Sequence, residues 1–362
     1  LSRLVGYHWL GGEAIFGIPI DVSTSFVFLF VLFGALLDRA GAGQYFLNLA
    51  FAMVGRFRGG PAKAAILASG MTGLISGSSI ANVATTGTFT IPVMRKIGIP
   101  AVKAGAIEVA ASVNGQIMPP IMGAAAFIIA EFIGISYFDV IVAAFLPAFI
   151  CYIALLYISH LEAMKLGLRG LAATEIPPLR RTFLMGCHFL IPIVVLVYLL
   201  MVKRWTASSS VFYAIVLLML IIVAQKVVRA WHGGDTSIGR AVMAGLAEIF
   251  AGLVTGARNM INIAVAVAAA GIIVGAVSST GLSNAMIEVV ERVSGGNVYI
   301  LLGLTAVLCL VLGMGLPTTA NYIVVASLMA GVVVQIGSAA GLVLPLIAVH
   351  LYVFYFGLMA DV

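Results

Sequence analysis

Long apolar runs recur along the chain, at about Ile15 to Leu37, Val140 to Ser159, Phe183 to Val202, Val211 to Ala224 and Ile261 to Val277. As helices, such runs match the roughly 30 Å hydrocarbon core of a bilayer, and they read as membrane spans. Three further apolar stretches are interrupted in the middle, where a span should be most apolar. Ala62 to Val93 is broken by Ser76-Gly77-Ser78-Ser79, followed by Asn82, Thr85, Thr86 and Thr88. Ala101 to Phe132 is broken by Asn114-Gly115-Gln116-Ile117-Met118-Pro119-Pro120. Val298 to Gln335 is broken by Gly313-Met314-Gly315-Leu316-Pro317-Thr318-Thr319-Ala320-Asn321. Irregular backbone survives at membrane depth only where protein buries it or where it lines a wet cavity.

This pattern predicts an all-α polytopic membrane protein with two re-entrant helical hairpins and broken helices. Residues 1–160 form a first repeat: a span at 15–38, a hairpin at 62–94, a broken helix at 101–133 and a span at 138–159. Residues 161–239 hold a cytoplasmic loop and two connecting transmembrane helices. Residues 240–362 form a second repeat: an amphipathic arm to Arg258, a span at 259–280, a hairpin at 298–335 and a last, truncated span. In the broken helix, Gly115 and the two prolines predict two half-helices with an unwound centre from Asn114 to Met118.

The match between the two hairpins is local. Ser79-Ile80-Ala81-Asn82 aligns with Thr318-Thr319-Ala320-Asn321, and Gly34 with Gly275 and Gly41 with Gly281 fall in corresponding places upstream. Basic residues then orient the halves. Arg56 and Arg58 precede the first hairpin and Arg95 and Lys96 follow it, so both of its ends prefer the cytoplasm. The loop from His160 to Arg181, with Lys165, Arg169, Arg180 and Arg181, falls on the same side. The second hairpin lacks a basic excess and follows an acidic patch at Glu288 and Glu291, which predicts entry from outside. Hairpins on opposite sides are the mark of an inverted-topology repeat, whose interrupted helices build a substrate site.

Composition narrows the class further. The chain has 62% hydrophobic and 9% charged residues, too little charge to clothe a water-facing surface. The net charge of +6 comes from 19 Lys and Arg scattered in short loops, a distribution that orients spans and argues against nucleic-acid binding. Cys151, Cys187 and Cys309 lie singly in apolar runs and read as small buried hydrophobes. The histidines, His8, His160, His188, His232 and His350, have no ligand spacing, and no acid-base pair, phosphate loop or nucleophile elbow occurs. No enzyme, no organic cofactor and no transition metal is expected. The residues from Leu1 to Gly12 carry neither an initiator Met nor a signal-peptide layout, which predicts a fragment.

The chemistry therefore rests on the breaks. A hairpin tip presents the amides at the start of its second helix to an anion, and the carbonyls at the end of its first helix to a cation. With the hydroxyls of Ser76, Ser78, Ser79, Thr318 and Thr319, those carbonyls suit sodium, and the unwound Asn114 to Met118 adds more. If the cations complete the site before the anion binds, a sodium gradient drives uptake. Isolated glycines such as Gly34 and Gly105 read instead as close-packing positions. Glu108 lies inside or near an apolar stretch, as a functional carboxylate, a snorkelling side chain or a structural ion pair.

Three segments carry a family resemblance: Gly73 to Asn82, Ile117-Met118-Pro119-Pro120-Ile121-Met122-Gly123-Ala124-Ala125-Ala126-Phe127, and Gly313 to Thr319. They resemble the large, DctM-like membrane subunit of tripartite ATP-independent periplasmic (TRAP) transporters, in the fused small-plus-large form that works with TAXI-type binding proteins. The resemblance implies sodium-coupled import of organic anions, often carboxylates, across the bacterial inner membrane by an elevator mechanism. A periplasmic substrate-binding protein delivers the solute, and a small membrane subunit, fused in the full-length chain, completes the permease. It implies sodium and substrate contacts at Ser76, Gly77, Ser78, Ser79, Asn82, Asn114, Gly115, Met118, Pro119, Gly313, Met314, Gly315, Pro317, Thr318 and Thr319. The family's second Thr-Pro-Pro type break is expected just past Asp361-Val362, and its small subunit upstream of Leu1, so this chain by itself is not expected to transport. A binding-protein-independent divalent-anion symporter, a membrane enzyme and a non-transporting assembly subunit are the competing readings.

Overall fold

Glycine, proline and short polar caps set the helix ends, and long apolar runs fill the helices between them. The computed structural model describes residues 6–12, 14–232 and 238–360, and every regular element among the described residues is helical. In chain order the helices are α1 (Ile18–Arg39), α2 (Ala42–Val54), α3 (Gly60–Ser76), α4 (Ser79–Lys96), α5 (Ala101–Ile117), α6 (Gly123–Ile133) and α7 (Tyr137–Lys165). They continue with the irregular α8 (Ala173–Val202), then α9 (Ala207–His232), α10 (Ile238–Thr280), α11 (Leu282–Ser294), α12 (Val298–Gly313), α13 (Thr318–Ala339) and α14 (Leu346–Leu358).

Six of these, α1, α7, α8, α9, α10 and α13, are long and apolar enough to cross a membrane. Their outer surfaces are apolar as well. Phe145, Leu146, Phe149, Ile150 and Ile153 on α7, and Ile261 and Val265 on α10, are exposed. Contiguous apolar surface of this kind is unfavourable in water and is what a helix presents to lipid. The protein is a multi-pass membrane protein.

Contacts divide the chain into two compact units, each discontinuous in sequence. The first-hairpin unit comprises Phe28–Gly123 and Phe145–Met260; the second-hairpin unit comprises Leu1–Val27, Ala124–Ala144 and Ile261–Val362. The sequence repeats follow chain order, whereas these units follow packing, so the two divisions cut the chain in different places. In the first-hairpin unit α3 packs against α2, α4 and α5. In the second, α12 packs against α13 and α14.

Three expectations are corrected. Arm and span are one continuous helix, α10, whose 43 residues span about 65 Å. Arg258 and Asn259 mark a polar step along this helix, but neither removes a backbone donor, so the helix runs on. Second, Asn114, Gly115 and Gln116 are helical, and the irregular backbone is confined to 118–122. Proline restricts the residue before it, so the helix ends just short of Pro119 rather than at Asn114. Third, a methyl group added at Gly105 would meet nothing within 4 Å, so this glycine is not a close-packing position.

Candidate functional site

The first hairpin turns on two residues. Gly77, at φ 58°, ends α3 in the left-handed conformation that favours glycine, and its amide donates to Gly73 O. Ser78 is extended and caps α4, its Oγ accepting from the Ala81 amide at 3.3 Å. A Cβ on Gly77 would lie 2.9 Å from Gly123 Cα, so the tip is seated against the start of α6. Ser79, the first residue of α4, is fully buried. Ser76 ends α3, and its side chain lies outside the described residues.

Asn82 binds this hairpin together. It is buried, its Nδ2 donates to Ser69 O at 2.9 Å, and its Oδ1 accepts from Thr72 Oγ1. Both ends of the amide are therefore engaged on α3, which makes Asn82 a clamp between the hairpin arms. Gly115 lies directly below: a Cβ there would stand 3.0 Å from Asn82 Nδ2 and 2.8 Å from Ser69 O. A Cβ on Gly73 would lie 2.4 Å from Gly115 Cα, closer than real atoms approach, so α3 and α5 cross backbone to backbone at these two glycines. Sequence spacing does not single out Ser69 or Thr72, and Gly73 stands out only as the first residue of a family-like segment; the crossing gives each its role.

Asn114 and Met118 are half-buried near the end of α5. Met118 packs on the cluster of Ile66, Ala111 and Tyr152, which assigns its side chain to the core. Pro119, also half-buried, follows it in the irregular segment. The carbonyls of the last turn, 114–117, are the ones an α-helix leaves without an internal partner. The oxygen donors foreseen at the break thus come from a helix end.

The second hairpin has a longer tip. α12 ends at Gly313, and Met314, Gly315, Leu316 and Pro317 connect it to α13. Met314 is 73% exposed and Gly315 stands in open space, so neither is enclosed by its own unit. Thr318 and Thr319, at the start of α13, are half-buried. Asn321 occupies the same fourth position of its helix as Asn82, and is fully buried. Its Nδ2 donates back to Cys309 O at 3.0 Å and to Gly357 O at 3.2 Å. Gly313 and Gly357 give it room, since a Cβ on either would lie 2.9 to 3.0 Å from Nδ2.

One atom differs. Asn321 Oδ1 is buried with no hydrogen-bond partner among the described residues. Three residues beyond the Ser69 carbonyl, the first hairpin has the Thr72 hydroxyl; three beyond Cys309, the second has Leu312, which has none to give. A buried amide oxygen without a donor is destabilising unless a cation, a water or a further polar group meets it.

Two titratable side chains lie deeper in these bundles. Glu108 on α5 is fully buried and accepts from Ser69, Thr86 and Thr90, so it is not an ion pair. Asn82, Thr86 and Thr90 recur every four residues, a polar stripe on one face of α4 that is readable in the sequence. His350 on α14 meets Tyr322 Oη through Nδ1 at 2.7 Å, with Phe132 edge-on to its ring. Among the described residues, no three His, Cys, Asp or Glu side chains gather as a metal site.

A family model described as "Tripartite ATP-independent periplasmic transporter, DctM component" matches residues 2–362. The uncharacterized protein YgiK of Salmonella typhimurium is 33% identical over 136 residues, 38% of this chain and 31% of the relative. The C4-dicarboxylate TRAP transporter large permease protein DctM of Pseudomonas aeruginosa is 37% identical over 91 residues, 25% of this chain and 21% of the relative. The sialic acid TRAP transporter large permease protein SiaM of Vibrio cholerae is 26% identical over 167 residues, 46% of this chain and 38% of the relative. In each case the alignment spans well under half of the relative's length.

Proposed function

The chain belongs to the DctM component family of tripartite ATP-independent periplasmic transporters, a family of multi-pass inner-membrane permeases rather than enzymes, and from that membership we propose that it imports organic anions coupled to sodium. In this reading each hairpin tip, and the break after α5 in the first unit, supplies binding groups. Hydroxyls and helix-end carbonyls hold the cations, and the first amides of α4 and α13 meet the anion. A periplasmic binding protein of the TAXI type delivers the solute, and a small membrane subunit joined to the full-length chain supports an elevator movement. The relatives are named for C4-dicarboxylates, sialic acid and 2,3-diketo-L-gulonate, all organic acids, which supports an anionic solute.

The observation that carries the coupling reading is the carbonyl oxygen of Asn321. It is a hard oxygen donor, buried beside the carbonyl end of α12, and its counterpart on Asn82 already has a protein partner. The test is uptake by the full-length permease in proteoliposomes with its binding protein. Accumulation only under an inward sodium gradient is expected, and accumulation indifferent to sodium would overturn the coupling. Ser79→Ala and Thr318→Ala should weaken sodium dependence more than expression; unchanged sodium affinity in both would remove the tips from the site.

A further inference from the structure

The transport reading uses no carboxylate; among the described residues Glu108 is the fully buried one, and its surroundings are neutral. Ser69 Oγ lies 3.2 Å from Oε1, Thr86 Oγ1 also meets Oε1, and Thr90 Oγ1 meets Oε2. The cations on the helices packed around it are engaged elsewhere. Lys103, on its own helix, pairs with Glu162 of α7. Lys63 of α3 donates to Arg58 O and meets His160 Nδ1. On α4, Arg95 is exposed and Lys96 pairs with Glu175. From α7, the buried Tyr152 places its hydroxyl against Gly70 rather than Glu108.

Proton counting shows what this cluster can do. With Glu108 ionised, the three hydroxyls each donate their single proton to its two oxygens, and the charge is met by three hydrogen bonds. With Glu108 protonated, its O–H donates to Thr90 Oγ1, and Thr90 turns its own proton to Thr86 O at 3.0 Å. Thr86 can likewise turn to Asn82 O at 2.8 Å, or to Ser69 Oγ at 3.2 Å. Both protonation states are satisfied by rotating hydroxyl groups while every heavy atom keeps its place.

We propose that the Glu108 cluster is a proton-binding site inside the first-hairpin unit: the carboxylate takes its proton from water and returns it to water, and hydroxyl rotation accommodates both states. The site goes beyond the sodium reading and does not depend on it. Its consequence is a bundle whose buried charge changes by one with pH, and with it the electrostatic penalty of holding that bundle in lipid.

Infrared difference spectroscopy of the full-length permease in lipid nanodiscs, in choline buffer without solute, tests the proposal separately from transport. Across a pH titration a protonated-carboxyl C=O band should be present at the acid end, lost at the alkaline end, and absent at both in Glu108→Gln. Ser69→Ala removes one donor to the ionised form while Thr90 still accepts from the protonated form, and should move the midpoint up by about one pH unit. A wild-type minus Glu108→Gln difference that is the same at both ends would overturn the proposal. So would a Ser69→Ala midpoint equal to the wild type, which keeps the test open if Glu108→Gln fails to fold.

Discussion

The two hairpin bundles solve the same packing problem with different completeness. In each, an asparagine at the fourth position of the second arm reaches back to a carbonyl of the first arm, Ser69 for Asn82 and Cys309 for Asn321. In each, a glycine near the end of the third helix lies against that asparagine, Gly115 on α5 and Gly357 on α14. Seven residues before each glycine stands a buried titratable group, Glu108 in one bundle and His350 in the other. The first bundle surrounds its asparagine and its carboxylate with hydroxyls. The second meets its histidine with the Tyr322 hydroxyl amid aromatic rings, and leaves the Asn321 oxygen unpartnered among the described residues. The shared frame holds the arms together, and the departures mark where ligands are to be sought.

The largest effect should come from breaking the frame itself. Gly73→Leu drives a side chain into the α5 backbone, which cannot rotate away, and a loss above the roughly 1–3 kcal/mol typical of overpacking is expected. Loss of the monodisperse peak in detergent would register it, and a normal peak would refute the backbone crossing. Next comes the asparagine pair. Asn82→Ala removes both amide contacts from α4 to α3, with Thr72 keeping its bond to Ala68 O, and should cost about 1–3 kcal/mol whether or not sodium is present. Asn321→Ala should instead abolish the thermal stabilisation that sodium gives over choline; the same sodium response in both variants would erase the distinction between the bundles.

A smaller effect is expected from Tyr322→Phe, which removes the hydroxyl facing His350. A loss of about 1 kcal/mol, seen as a lowered melting temperature, fits a single buried hydrogen bond. The smallest change, and of opposite sign, belongs to Gly105→Ala. With open space around it inside a helix, the alanine should stabilise by about 0.5–1 kcal/mol, and a drop in melting temperature would show that Gly105 packs against something after all.

Much of the frame could be read before any coordinates. Ser78 and Pro317 precede helices for ordinary capping and backbone reasons, and the polar residues at 76–82 and 313–321 stand out against apolar flanks. Polarity alone does not show which atoms already have a partner. Asn82 reads as a ligand by its position beside the tip; in the fold each end of its amide also bonds α3, because α4 folds back along α3 and presents Thr72 to it. Arg258 and Asn259 read as the end of an arm, yet a helix tolerates polar residues wherever their side chains have somewhere to go.

The sequence by itself determined that the chain is helical, membrane-embedded and interrupted at three polar breaks, since hydrophobic periodicity, glycine and proline act on local backbone. Tertiary structure decided which polar atoms are consumed. Whether an amide oxygen meets a hydroxyl or stands alone, and whether Glu108 finds a cation or three threonine and serine hydroxyls, depends on which helices cross and at what distance. That distance is set by glycines far apart in the chain, Gly73 and Gly115 in one bundle, Gly313 and Gly357 in the other. No local pattern records it.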